Sequence, residues 1–174
     1  MKAVLSVVLL WMLIMPGASA WGTYQVPEEF ISEVFAGQAP APSVLRVTSA
    51  VQDKIEAILG RKLGVGRVRY WQQEARTAWI LEEIGKERPI TVGLVVDQGK
   101  LELIKVLIFR ESRGSEVRYP FFTDQFKGAT LRADAELDRS IDGVSGATLS
   151  TRALTKLAQL ALYLHQQVTN EPEE

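Results

Sequence analysis

Between Val68 and Phe109 the chain passes through four segments rich in β-branched and aromatic residues: Val68-Arg69-Tyr70-Trp71, Thr77 to Ile84, Ile90 to Val96, and Leu101 to Phe109. Only turn-length gaps separate them. Parallel neighbours need a crossover of about a dozen residues or more, which these gaps cannot supply, so a run of such strands implies an antiparallel sheet. Asp97-Gln98-Gly99-Lys100 reads as the hairpin between the last two, with Gly99 free to take positive φ. The second segment is the ambiguous one, because Trp79-Ile80-Leu81-Glu82-Glu83-Ile84 also fits one or two helical turns.

Helical patterns flank this block. Pro27 followed by Glu28 and Glu29 suits the positive start of a short helix carrying Phe30, Ile31, Val34 and Phe35. Gly37-Gln38-Ala39-Pro40-Ala41-Pro42 then reads as a linker. From about Thr48 to Leu59, Val47, Val51, Ile55, Ile58 and Leu59 share one face, Gly60 is a stop, and the helix is expected to pack on the sheet. Phe122 and Phe126, four apart, predict a short helix ending at Gly128. Leu154, Leu157, Ala161, Leu164 and Val168 form the stripe of a long helix from about Leu149 to Val168. The fold class is therefore α+β: an antiparallel sheet with packed helices.

At the N-terminus, Lys2 precedes an apolar run from Val4 to Met15, and Ala18-Ser19-Ala20 ends just before Trp21. This reads as a secretory signal peptide over residues 1–20. The run is short of the roughly 20 residues a membrane span needs, and an uncleaved anchor is the alternative. The rest divides into an N-terminal helical segment and linker (21–64), a main domain (65–168) and an acidic tail (169–174). The length suits one domain with a real core. Twenty basic residues against 21 acidic ones give no electrostatic case for a nucleic-acid partner. Having no cysteine removes zinc–thiolate, iron–sulfur and thioether-haem sites, and a single histidine, His165, rules out a multi-histidine metal site. No metal is expected, and a chain without thiols suits an oxidising, exported compartment.

The chemistry concentrates in Ile141-Asp142-Gly143-Val144-Ser145-Gly146-Ala147-Thr148-Leu149-Ser150-Thr151, just before the long helix. Small residues at Gly143, Ser145, Gly146 and Ala147 allow a sharp turn and close approach of a bulky group. Hydroxyls at Thr148, Ser150 and Thr151 sit where free N–H groups and the helix dipole favour a phosphate. Plain helix capping explains the same hydroxyls. Gly143 to Ala147 also lies one residue away from a G-x-S-x-G nucleophile elbow. The required base could only be His165, about 25 Å along the helix from Thr148 at 1.5 Å per residue, so the hydrolase reading fails unless the helix is broken or a partner chain supplies the base. A P-loop pattern is absent.

The segment resembles the flavinylation motif of the FMN-binding domain family, which includes the covalent-FMN subunits of the sodium-translocating NADH:quinone reductase and of the Rnf electron-transfer complex. The pattern is Asp, two variable residues, Ser-Gly-Ala-Thr, one residue, then Ser or Thr, and every fixed position is met by Asp142, Ser145, Gly146, Ala147, Thr148 and Ser150. Looser similarity extends from about Val65 to Val168. The resemblance implies FMN as cofactor, joined by its phosphate to Thr148 by a separate flavin transferase that depends on FAD and magnesium. It makes Ser145, Gly146 and Ala147 recognition and packing positions, and Asp142 either a contact for the transferase or a brace for the loop. No residue is assigned a catalytic role.

The same resemblance implies an exported electron-transfer flavoprotein, periplasmic or membrane-associated, that serves a membrane or periplasmic redox partner. Two other readings stand beside it: a small periplasmic flavin-dependent reductase with its own acceptor, and a non-redox binding or assembly module. One departure is visible. Members in the membrane complexes usually carry a Glu-Thr-Pro-Gly-type loop after the hairpin, and here the loop reads Glu111-Ser112-Arg113-Gly114. Arg113 is either a stabiliser of reduced, anionic flavin or a solvated loop charge. Arg152, one turn into the helix, is likewise either a phosphate contact or a solvated charge. Tyr119, Phe121, Phe122 and Phe126 are candidates for ring stacking, with core packing the commoner fate of such residues. His165 reads as a surface or partly buried helix residue, and Trp71 and Trp79 as sheet-packing residues.

Overall fold

A computed structural model describes residues 22–169 of the chain. The leader reading for 1–20 and the end of the acidic tail lie outside those residues. Five strands form one sheet in sequence order: β1 (Ser43–Arg46), β2 (Arg67–Gln73), β3 (Arg76–Ile84), β4 (Pro89–Asp97) and β5 (Lys100–Phe109). Every neighbouring pair is antiparallel. With its helices, the sheet gives the α+β architecture the sequence predicts.

The ambiguous segment is a strand. In β3, Thr77, Trp79, Leu81 and Glu83 all point inward and are buried, a period of two that no helix can produce. At the β4–β5 hairpin both Gln98 (φ 50°) and Gly99 (φ 74°) are left-handed, so the turn twists with its strands. β1 is an addition to the sequence reading. It begins immediately after the Pro40-Ala41-Pro42 linker and pairs Val44 with Arg69 and Leu45 with Val68.

The sheet is covered on both faces. On one lie α2 (Ser49–Leu59) and α4 (Thr148–Thr169), in one core with the inward residues of the sheet. Thr48 caps α2, its hydroxyl accepting from the Val51 N–H. The other face carries α1 (Pro27–Val34), whose Phe30 and Ile31 pack with Phe35 on Ala78, Val95 and Leu107. Phe30 lies directly on Gly93 of β4: a methyl group there would sit 2.6 Å from the ring. Glycine in the middle of this central strand is thus the seat of a helix.

α4 is more enclosed than one apolar stripe implies. From Ala153 to His165 nearly every residue is buried, including Leu160, Leu162 and Tyr163. The sheet, α2 and the segment 129–144 surround it. Lys156 Nζ donates to the last carbonyl of α2, at Leu59, and Gln159 Nε2 donates to Glu136 (2.7 Å). His165 is fully buried rather than at the surface. The Gly99 N–H donates to its Nε2 (3.2 Å), which leaves the ring proton on Nδ1, 2.8 Å from Thr77 Oγ1. Thr77 Oγ1 also accepts from Trp79 Nε1 (2.9 Å). This network ties the far end of α4 to β3 and to the hairpin. No helix among the described residues is long and apolar enough to cross a membrane.

Candidate functional site

Between β5 and α4 the chain makes a long excursion that delivers the motif to the helix start. A 3-10 turn (Ser115–Arg118), α3 (Pro120–Thr123) and a second 3-10 turn (Asp124–Phe126) come first. Phe122 and Phe126 meet edge-on with centroids 5.5 Å apart and are fully buried, which anchors this stretch in the core. Tyr119 and Phe121 stack on one another at the surface. Segment 129–144 then crosses α4, fastened by Arg139, which donates to the carbonyls of Lys127 and Gly128 (both 3.1 Å). Hydrogen bonding to Arg139 holds the Asp138 carboxyl down to about 2.

The motif loop is held by its backbone. Gln125 clasps Asp142 with both ends of its amide: the Asp142 N–H donates to Oε1 (2.7 Å), and Nε2 donates to the Asp142 carbonyl (3.4 Å). Thr151 reaches back from the first turn of α4 to accept the Val144 N–H (3.4 Å). The Ala147 N–H closes a turn onto the Val144 carbonyl (2.9 Å), with Gly146 left-handed at φ 79°. A Cβ at Gly146 would meet nothing within 4 Å, so glycine is needed there for its dihedral and not for space. Ala147 is the opposite case. It is buried, and a methyl group on Gly114 would stand 3.1 Å from its Cβ and 3.0 Å from Ser150 Oγ. The Glu111–Gly114 loop therefore lies against the start of α4.

Between that loop and the helix start is a cleft of about 530 Å³, lined by Lys86, Glu111, Ser112, Arg113 and Gly146–Ser150. Thr148 is the first helical residue, exposed, and its hydroxyl has no hydrogen-bond partner among the described residues. The first N–H groups of a helix lack intrahelical acceptors, so the cleft has donors as well as a hydroxyl. Lys86 arrives from the β3–β4 turn, which Glu111 fixes: its Oε1 accepts the N–H groups of Lys86, Glu87 (2.7 Å) and Arg88 (2.9 Å). Burial pushes the Glu111 carboxyl up, but those bonds from Arg88, Glu87 and Lys86 outweigh it and leave it below its ordinary value.

Of the residues singled out in the sequence, Gly146, Ala147 and Thr148 line the cleft together. Ser145 and Asp142 are exposed on the approach to it and are not in its lining. Arg152 is exposed and also outside the lining, whereas Arg113 is inside it. Lys86 is the addition. It lies in the turn after Ile84, and only the sheet's pairing brings it to the motif.

Size and chemistry both suit FMN. The cleft falls within the about 300–1,000 Å³ of small-molecule sites. It offers two cations and a helix start for a phosphate, and a free hydroxyl for a covalent link. A different hollow of about 430 Å³ between α1 and β2 is floored by Ile31, Trp71 and Ile80, and its two charges, Glu28 and Arg69, oppose each other, so it suits an anion poorly. Among the described residues no group of three His, Cys, Asp or Glu side chains is placed to hold a metal ion.

Comparison with known proteins agrees with this chemistry. No curated protein and no solved structure matches the chain. Residues 85–163 match the model of the FMN-binding domain family, a span that runs from the β3–β4 turn into α4 and includes every residue lining the cleft. The chain therefore carries an FMN-binding domain over residues 85–163, and its cofactor is FMN.

Proposed function

We propose that the protein is an exported electron-transfer flavoprotein that carries FMN as a phosphoester on Thr148. The observation that carries this reading is the exposed, unpartnered Thr148 hydroxyl at the first position of α4, inside a cleft walled by Lys86 and Arg113. Thr148 Oγ1 attacks the FMN phosphorus of FAD in the active site of a magnesium-dependent flavin transferase. The pyrophosphate bond breaks, AMP leaves, and the hydroxyl proton passes to a base of the transferase. The new ester would keep one negative charge, which the free N–H groups of the helix start would hold.

The motif's other residues act as a handle. Asp142 presents a carboxylate whose own backbone is fixed by Gln125, which leaves the side chain available to an approaching enzyme. Ser145 and Gly146 lie on the same exposed loop, and buried Ala147 sets the spacing between loop and helix. When bound, FMN supplies reversible uptake of electrons and protons at one centre. The protein retains the group, shields part of it and surrounds it with fixed charge. Retention matters in an exported compartment, where a dissociable flavin is lost. The redox partner is a membrane or periplasmic protein.

A reductase with its own acceptor has one observation in its favour. A hollow of about 690 Å³, lined by Glu87 and Glu111 as well as Arg88 and Arg110, shares Glu111 and Ser112 with the flavin cleft. Reoxidation of the reduced protein by small-molecule acceptors, saturating with acceptor concentration, would favour that reading over a pure carrier.

The test is co-expression with an active flavin transferase in an exporting host, followed by full denaturation. Wild type should carry in-gel flavin fluorescence and a mass increased by one FMN less one water. Thr148→Val should carry neither. Wild type without added mass, while a control substrate is loaded, overturns the proposal.

A further inference from the structure

We infer that Lys86 and Arg113 form a cationic wall that stabilises the reduced, negatively charged state of the flavin, with Glu111 as the residue that positions the wall. The inference rests on FMN being held at Thr148. The two cations come from different parts of the fold, Lys86 from the β3–β4 turn and Arg113 from the loop after β5. Each lines the same cleft as Thr148. Their convergence is built by one carboxylate. Glu111 gathers three successive N–H groups of the β3–β4 turn onto Oε1, so the turn that carries Lys86 is tied to the loop that carries Arg113. That loop is in turn seated on Ala147 and Ser150 through Gly114.

The charge balance inside the cleft favours an incoming negative charge. Glu111 is the one acidic side chain in the lining, and an oxygen of its carboxylate is engaged by the three N–H groups. Lys86 has Glu87 at 3.5 Å as an exposed partner, a contact of little strength in water. Arg113 is exposed, with no acidic partner among the described residues. Two-electron reduction with uptake of one proton adds one negative charge to the flavin ring system. Cations beside the ring favour that state, whereas cations facing only the phosphoester meet a charge that reduction leaves unchanged. The reduction potential therefore separates the two placements.

The experiment uses the full chain loaded with FMN by the transferase. Lys86→Gln, Arg113→Gln and the double variant are titrated with dithionite against indicator dyes, dithionite supplying the electrons and water the proton. Both side chains are exposed, so folding is not at stake, and Lys86→Arg with Arg113→Lys restores the charge. Each neutralisation should lower the reduced-to-oxidised ratio at fixed potential about threefold, as fits a partly solvated charge a short distance from the ring. The double variant should lose about tenfold, which is roughly 30 mV for a two-electron couple. Arg152→Gln, which removes an exposed cation outside the cleft, should leave the potential unchanged. An unaltered potential in the double variant overturns the inference. So does failure of the double variant to accept FMN, which would make the two cations a docking feature for the transferase. Absence of covalent flavin from the wild type would overturn the Thr148 reading instead.

Discussion

Replacing Gly114 by alanine perturbs the contact on which the cleft depends. Its φ of 85° places it in the left-handed region, which costs an L-residue roughly 1–2 kcal/mol. The new methyl would also stand 3.0 Å from Ser150 Oγ and 3.1 Å from Ala147 Cβ, on a wall formed by the first turn of α4. Overpacking of that kind costs about 1–3 kcal/mol. Together the two terms give about 2–5 kcal/mol, or a fall in Tm of roughly 4–20 °C for a domain of this size. Gly146→Ala separates the terms, because its φ is 79° but its Cβ would meet nothing within 4 Å. It should cost the backbone term alone, about 1–2 kcal/mol. Gly64→Ala, with open space and an ordinary backbone, should be close to neutral. Thermal unfolding followed by circular dichroism gives all three values. If Gly114→Ala costs no more than Gly146→Ala, the Glu111–Gly114 loop does not rest on the helix start, and the cleft does not have this wall.

Three other outcomes are expected of the same structure. His165 titrates below its usual value of 6.5, because burial lowers it more than the Asp97 charge raises it. As pH falls below 6.5 the unfolded chain takes up a proton that the folded protein refuses, so stability should drop with acidification down to the folded value and then level off. Urea midpoints between pH 7 and pH 5 should show this slope in wild type and lose it in His165→Gln; an unchanged slope would exonerate His165. Glu111→Ala should cost about 1–2 kcal/mol through three N–H groups left to water, and lower flavin loading through release of the β3–β4 turn. Wild-type stability and loading in that variant would refute the clasp. Phe30→Ala removes the fully buried ring seated on Gly93 and should cost about 3–5 kcal/mol, measured by urea unfolding. A loss under about 1 kcal/mol would mean that α1 does not cover the sheet.

Much of this fold is legible in the sequence because two periodicities stand apart. Four short β-rich runs with tight gaps admit one pairing scheme, and the stripes at Val51, Ile55 and Ile58 and at Leu154, Leu157 and Ala161 have helical spacing. β1 is harder to read. Ser-Val-Leu-Arg after two prolines buries only Leu45, too short a pattern to show a period, and its pairing with β2 is a tertiary event. The extra enclosure of α4 does leave a trace, since Leu160, Leu162 and Tyr163 lie off the predicted stripe and mark a helix apolar on several sides. His165 falls within that enclosed stretch, and its partners, Thr77 on β3 and Gly99 in the β4–β5 turn, lie where no local pattern connects them to it.

The site divides in the same way. Asp142 to Thr148 is contiguous, so its small residues and hydroxyl at a helix start can be recognised directly. Lys86 and the Glu111 clasp are assembled by strand pairing across the sheet and by backbone N–H groups, which have no signature in the order of residues. Phe122 and Phe126 turn out to be core, and Tyr119 and Phe121 are at the surface outside the cleft lining, so the four aromatics do not form a ring-stacking wall there.

The most direct measurement is localisation of the flavin on one side chain. Trypsin cleaves after Arg139 and Arg152 and releases Ser140 to Arg152, a peptide holding Ser140, Ser145, Thr148, Ser150 and Thr151. Tandem mass spectrometry of this peptide from transferase-loaded protein should find one FMN less one water, with the added mass on Thr148. The same mass on Ser145, Ser150 or Thr151, or an unmodified peptide from a preparation in which a control substrate is fully loaded, would contradict the account.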